Sequence, residues 1–122
     1  MILVDTSIWI GHFRTGDERL QSLLHDGSVL THPFVIGELA LGRLPERHSL
    51  LADLHALPRA IVAGDAEVLA FIEFNRLAGL GVGYVDAHLL ASARLTAEAS
   101  IWTGDKRLAM VADRLGLAAA RA

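Results

Sequence analysis

Asp5, Glu38, Asp86 and Asp105 are the residues of this 122-residue sequence whose types and settings suggest chemistry. Asp5 is the lone charge in the first eleven residues and directly follows Ile2-Leu3-Val4. Glu38 lies within Phe34-Val35-Ile36-Gly37-Glu38-Leu39-Ala40-Leu41, and its helical neighbours Phe34, Val35, Leu41 and Gly42 offer it no local salt bridge. Between Gly79 and Ala93, Asp86 has His88 as its one companion that is charged or titrates near neutrality. A carboxylate buried in such a stretch must protonate, find a distant cation or bind metal, because leaving it unpaired costs several kcal/mol. The aspartates also have a structural explanation: Asp5 and Asp105 are favoured helix caps, and Asp86 complements a helix dipole. Glu38, at a mid-helix position, does not share it. With no cysteine and no ordered histidine set, hard carboxylate oxygens suit Mg²⁺ or Mn²⁺ better than zinc. Like charges gather only where a cation neutralises them. Such a centre acidifies a bound water and steadies the oxygens of an in-line phosphoryl displacement.

The hydrophobic period alternates between strand-like runs and helical stripes. Ile2-Leu3-Val4 is a continuous apolar run, as in a strand buried on both faces. A helix is expected from Thr6 to about Arg14. A second begins at Asp17, carries the stripe Leu20, Leu23 and Leu24, and ends at Asp26-Gly27. Ser28 to Thr31 reads as the next strand. Pro33 opens a helix to about Leu44, Pro45 stops it, and residues 47–57 form another. Ala60-Ile61-Val62-Ala63 is expected as strand three, followed by a helix from Asp65 to about Ala78, the loop Gly79 to Gly83, and a helix from Val85 to Thr96. Ser100 to Thr103 is strand four. The last helix runs from Asp105 to Leu115, and Leu117-Ala118-Ala119 offers a short fifth strand. Strands alternating with helices imply a parallel sheet covered on both faces, with ligands beyond the C-terminal strand ends. Asp5 and Asp105 fall at such ends.

The length suits one domain over residues 1–122, with neither repeat nor linker. The hydrophobic fraction of 52% leaves apolar surface for a subunit or partner interface. Absent cysteines suit a reducing cytoplasm, and no run approaches the roughly 20 apolar residues of a membrane helix. A net charge of −3 gives no overall basic footprint for nucleic acid. The cations are nonetheless nearly all arginine, with Lys106 the single lysine, and arginine suits bidentate phosphate contacts.

Four segments together resemble a known family. Val4-Asp5-Thr6-Ser7, Glu38 on a helix opened by His32-Pro33, Tyr84-Val85-Asp86-Ala87-His88-Leu89-Leu90-Ala91, and Ile101-Trp102-Thr103-Gly104-Asp105-Lys106-Arg107-Leu108 are similar to the PIN-domain ribonucleases, most of all to the VapC toxins of bacterial toxin–antitoxin pairs. The resemblance runs from Ile2 to about Leu117. It implies a PIN-like three-layer α/β/α fold with a central, mainly parallel sheet of four or five strands. It also implies an Mg²⁺-dependent endoribonuclease, with Mn²⁺ as substitute, that hydrolyses RNA with metal-activated water and no covalent intermediate. By the same resemblance Asp5, Glu38 and Asp86 are the core catalytic and metal-binding acids, and Asp105 is a fourth, more loosely engaged. Thr6, Ser7 and Thr103 would orient ligands or water. A VapB-like antitoxin and a second copy of the chain are the implied protein partners.

The competing reading is an Mg²⁺-binding, receiver-like signalling domain without nuclease activity. That reading expects paired acids after strand one and an acceptor aspartate after strand three, whereas Asp5 is followed by Thr6-Ser7 and strand three ends in Ala63-Gly64. The remaining signals are weaker. Gly79 to Gly83 follows a helix and lacks a Gly-Lys-Ser/Thr ending, so it reads as a plain loop. His48 and His55 have no third ligand nearby, and His88 reads as structural. Trp9 and Phe13 belong to the core or to a partner groove. Arg43, Arg47 and Arg107 are candidate phosphate contacts.

Overall fold

The computed structural model describes residues 1–120. β1 (Ile2–Val4) leads into α1 (Thr6–Thr15) and α2 (Glu18–His25). β2 (Val29–Leu30) is followed by α3 (Pro33–Leu41), α4 (Arg47–Ala56), α5 (Asp65–Phe74) and α6 (Tyr84–Leu95). β3 (Ser100–Trp102) and α7 (Lys106–Arg114) complete the order. The sheet is parallel throughout, in the order β2-β1-β3, with Ile2 opposite Val29 and Ser100, and Leu3 opposite Leu30 and Ile101. Successive strand side chains point to opposite faces, so the complete burial of both Leu3 and Val4 means that helices cover the sheet on both sides. The chain leaves β1 toward β2 on one flank and returns through β3 on the other. The C-terminal end of β1 therefore lies at a topological switch point, where open parallel sheets hold their ligands.

Local chemistry sets the helix boundaries. The Asp17 side chain accepts from Leu20 N at 2.9 Å and starts α2. His32 caps α3 in the same manner: its Nδ1 accepts from Phe34 N at 3.0 Å, with Pro33 in the first turn. Two helices end earlier than their sequence suggests. α3 stops at Leu41, where the Arg47 guanidinium turns back onto the Ala40 and Gly42 carbonyls. α5 stops at Phe74, with the Asn75 side chain bonded to Phe71 O and Arg76 in the left-handed region at φ 55°.

The sheet has three strands rather than the four or five expected. Residues 58–60 touch β2 through one parallel bridge, Thr31 with Arg59, and residues 117–119 touch β3 through another, Ile101 with Ala118. Over the expected third strand, Ala60 N donates to Thr31 O at 2.9 Å, whereas two amides on the opposite side turn to α6 and its C-cap. Ile61 N donates to Thr96 Oγ1 at 2.9 Å, and Ala63 N to Ser92 Oγ at 3.3 Å. The contact with β2 ends at Ala60, and the chain beyond it is anchored to α6 instead. Among the described residues, no helix is long and apolar enough to cross a membrane.

Candidate active site

The site grows from the parallel ends of β1 and β3. Asp5 N donates to Trp102 O at 2.9 Å, which places the residues after both strands side by side. Asp5 stands at the N-cap position of α1, yet its side chain caps nothing. Its Oδ2 instead accepts from Thr103 Oγ1 at 2.7 Å and from Ser7 Oγ at 2.9 Å. A carboxylate only accepts, so each hydroxyl spends its single proton on Asp5. Each hydroxyl oxygen then accepts from the following loop: Thr103 Oγ1 from Asp105 N at 3.0 Å, and Ser7 Oγ from Gly104 N at 2.9 Å. This closed set of bonds holds a carboxylate that is 7% exposed.

The other acids approach from three helices. Glu38 on α3 accepts from Thr6 Oγ1 at 2.7 Å, a link from the α1 start to the α3 middle. Its side chain is exposed, as are Phe34 and Gly37 beside it, so the apolar stretch does not bury the carboxylate. The cost argued from a buried position therefore does not apply; the apolar neighbours Val35, Ile36 and Leu39 face the core and leave Glu38 at the surface. Asp86, in the first turn of α6, accepts from Gly83 N at 3.1 Å. Asp105 caps α7, its Oδ1 accepting from Arg107 N at 2.9 Å and Leu108 N at 3.0 Å.

Electrostatics tie the four together. The Asp86 carboxyl is held above the usual aspartate value, first by burial, against the opposing pull of the Gly83 hydrogen bond. The negative charges of Asp5, Asp105 and Glu38, in that order, raise it further. All three acids thus act on the fourth through space. Among the described residues, however, no three acidic or histidine side chains stand close enough to grip one ion between them. An all-oxygen, multiply negative cluster fits a hard divalent cation, and Mg²⁺ keeps several waters and takes only one or two carboxylates directly. The donor set therefore fits such an ion without a closed cage.

Around the acids, the secondary candidates divide. An apolar groove of about 340 Å³ runs beside Glu38, lined by Ile10, Phe13, Leu39 and Leu44, with Arg14 and Arg43 on its walls. Phe13 belongs to it, whereas Trp9 is 3% exposed and lies in the core. Arg47 caps α3 rather than facing the acids. Arg107 lies against Gly81, where a Cβ would meet its guanidinium at 2.6 Å and where φ is +83°, so the loop requires glycine there. His48 and His55 are exposed on α4. His88 is buried between the rings of Phe34 and Tyr84, each 4.6 Å away, with Nε2 3.7 Å from Asp65 Oδ1. Sequence reasoning missed the work of His32, although the pair His32-Pro33 marks a capped helix start. Its buried ring joins α3 to Ser92 of α6 at 3.1 Å.

The PIN domain family model matches residues 2–114 of this chain. Two relatives of the same name, Ribonuclease VapC32 from Mycobacterium tuberculosis strains CDC 1551 / Oshkosh and ATCC 25618 / H37Rv, are each 48% identical to it over 123 aligned residues, covering 98% of this chain and 97% of the relative. A parallel three-stranded sheet covered by helices, acids gathered at its C-terminal edge, and this match along nearly the whole length identify the chain as a member of the PIN domain family.

Proposed function

We propose that this protein is an Mg²⁺-dependent endoribonuclease, with Mn²⁺ as substitute, and the toxin of a toxin–antitoxin pair. The observation that carries the reading is Asp5, a buried carboxylate at the end of the central strand that caps no helix and is held by two hydroxyls. The whole chain, residues 1–122, works as one nuclease domain in the cytoplasm.

Asp5, Glu38 and Asp86 would hold the ion, one or two of them directly and the rest through its water shell, and Asp105 would complete the set. A bound Mg²⁺ supplies charge neutralisation, acidifies a water and stabilises the oxygens of the phosphoryl displacement. The chain's own groups fix the geometry around it. Thr103 and Ser7 point the Asp5 carboxylate by saturating Oδ2, and Oδ1 carries no protein hydrogen bond among the described residues. Thr6 does the same for Glu38 through Oε1. Burial and the neighbouring negative charges raise the proton affinity of Asp86, and a nearby cation would oppose that effect. RNA enters as a phosphodiester whose negative charge is repelled by the bare acids, so the ion strengthens binding of the scissile phosphate, whereas flanking nucleotides do not depend on it.

The antitoxin, a VapB-like protein, occupies the apolar groove beside Glu38 that contains Phe13. Its apolar side chains meet Ile10, Phe13 and Leu39, and a basic side chain reaches the acids, which adds charge complementarity to apolar burial. A second copy of the chain covers part of the exposed apolar set that includes Leu41, at 90% exposure, and Phe74, at 87%.

Incubation with structured RNAs in Mg²⁺, Mn²⁺ or chelator tests the activity. Cleavage is expected with either metal, and cleavage that persists in full in chelator rejects the mechanism. Light scattering, with and without the small protein encoded by the adjacent gene, tests the partners. A monomer that binds no such protein rejects both assignments.

A further inference from the structure

Beside the acidic site lies a second depression, with a volume of about 700 Å³ and a different character. One wall is the α7 stripe Lys106, Ala109, Met110 and Asp113. The other is formed by Trp102 of β3, Ala118 to Ala120 and Arg19 of α2. Thr103, whose hydroxyl is bound to Asp5, is also part of its lining. The groove is therefore continuous with the acids through a shared residue.

The groove is polarised along its length. Lys106 lies at the Thr103 end and Asp113 lies two helical turns away, about 10 Å along the α7 axis. Arg19 is fixed over the Trp102 ring, its guanidinium carbon 4.4 Å from the ring centre, and it donates to the Ala120 carbonyl. Lys106 occupies the first turn of α7, the positive end of the helix dipole, where a cation is disfavoured. Among the described residues no acidic side chain pairs with it, since the one ion pair there is His88 with Asp65. Helix stability thus does not explain Lys106. An anion bound in front of it would. The alanines at positions 109, 118, 119 and 120 leave the space open, and its size falls within the range of about 300–1,000 Å³ typical of small-ligand sites.

We propose that this groove is a subsite for one nucleotide of the RNA strand flanking the scissile bond. Its phosphate lies against Lys106 and Arg19, and its base lies over the Arg19–Trp102 stack. Arginine planes and indoles both accept a base by stacking, which is tolerant of sequence, while the two cations track the backbone. The subsite rests on the endoribonuclease reading, and it makes Arg19, Trp102 and Lys106 strand-positioning residues separate from the acids. It also accounts for RNA binding by a chain of net charge −3, since the cations that matter are local.

The chain has two tryptophans, buried Trp9 and groove-facing Trp102, so indole emission reports on the groove. The probe is a single-stranded tetraribonucleotide titrated in chelator, where cleavage is suppressed. Saturable quenching is expected in the wild type and in Trp9→Phe. Arg19→Ala and Lys106→Ala should each weaken binding about 3- to 10-fold and lower the salt slope by about 1. In Mg²⁺ the same substitutions should raise KM with kcat nearly unchanged, and Arg19→Lys should recover part of the loss. If the wild type cleaves RNA but both alanine variants match it in binding and KM, the subsite is wrong and the nuclease reading stands. If the wild type neither binds nor cleaves RNA under any metal condition, both fail together.

Discussion

The His32 ring and the Ser92 hydroxyl, 3.1 Å apart in the interior, join the helix that carries Glu38 to the helix that carries Asp86. The proton arrangement follows from the neighbours. His32 Nδ1 accepts from Phe34 N, so the neutral ring carries its hydrogen on Nε2 and donates to Ser92. Ser92 Oγ also accepts from Ala63 N. One buried pair thus caps α3, fixes α6 against it and holds the strand-like segment 60–63.

This arrangement needs a neutral imidazole and gives a pH dependence with a definite sign. Burial, then the proximity of His88 and Arg59, lowers the His32 pKa from 6.5 to about 4. Between those values the unfolded chain binds a proton that the folded chain refuses, so stability rises with pH across the window. The full linkage is on the order of 3 kcal/mol, fully present above pH 6.5 and lost as pH falls toward 4. His32→Asn keeps a capping oxygen while removing the titration. Urea unfolding midpoints from pH 4.5 to 7.5 should show a shallower slope for the variant; parallel slopes would assign the pH dependence elsewhere.

Asp86 and Glu38 make a second, opposite case. Their charges repel the other acids whenever no cation is bound. Asp86→Asn retains an oxygen for Gly83 N, and Glu38→Gln retains one for Thr6. Activity should fall by orders of magnitude, while stability in chelator stays level or rises by about 1 kcal/mol. Millimolar Mg²⁺ should raise the wild-type Tm and raise those of the variants less. Variants that melt well below wild type in chelator, with no metal-dependent difference, would make these acids structural.

Much of this was legible from local pattern. The apolar run before Asp5, the Asp17 and Asp105 caps and the Pro33 start depend on neighbours in sequence, and the structure has each of them. What was not legible depended on distant partners. Residues 60–63 have strand composition, yet after Ala60 the chain leaves β2, and Thr96 and Ser92, about thirty residues on, take the Ile61 and Ala63 amides. Glu38 looked buried because its sequence neighbours are apolar, but those neighbours turn inward and it turns out. Arg47 looked like a phosphate ligand and instead closes α3, a contact set by the turn at Pro45-Glu46. Trp9 and Phe13 share a helix face in sequence, yet Trp9 reaches the core and Phe13 the groove rim.

Asp105 combines a cap with a charge, and two substitutions separate them. Asn caps a helix as well as Asp does, so Asp105→Asn should leave Tm nearly unchanged. Asp105→Ala loses the bonds to Arg107 N and Leu108 N and should cost about 1 kcal/mol. If the charge serves the ion, both variants lose activity to a similar extent. Full activity in Asp105→Asn would restrict this residue to holding α7.

Thr103 provides the sharpest test of how Asp5 is held. Its hydroxyl donates to Asp5 Oδ2 and accepts from Asp105 N, so it links the buried acid to the loop that begins α7. Thr103→Val keeps the shape and the β-branch but removes both bonds. A part-buried carboxylate and a backbone amide each lose a partner, at a cost of about 1–3 kcal/mol in stability. Thr103→Ser keeps the hydroxyl and should remain within about 1 kcal/mol of wild type, since it loses only a methyl group. In catalysis the valine variant leaves Asp5 with Ser7 alone, free to rotate about its side-chain bonds, and kcat should drop while the apparent Mg²⁺ requirement rises. The serine variant should recover most of both. Activity measured against Mg²⁺ concentration for the three proteins, with Tm in chelator alongside, distinguishes orientation of the ligand from simple loss of stability. If the valine variant melts lower but keeps the wild-type Mg²⁺ dependence and kcat, Thr103 supports the fold at this edge of the sheet and does not direct Asp5 toward an ion.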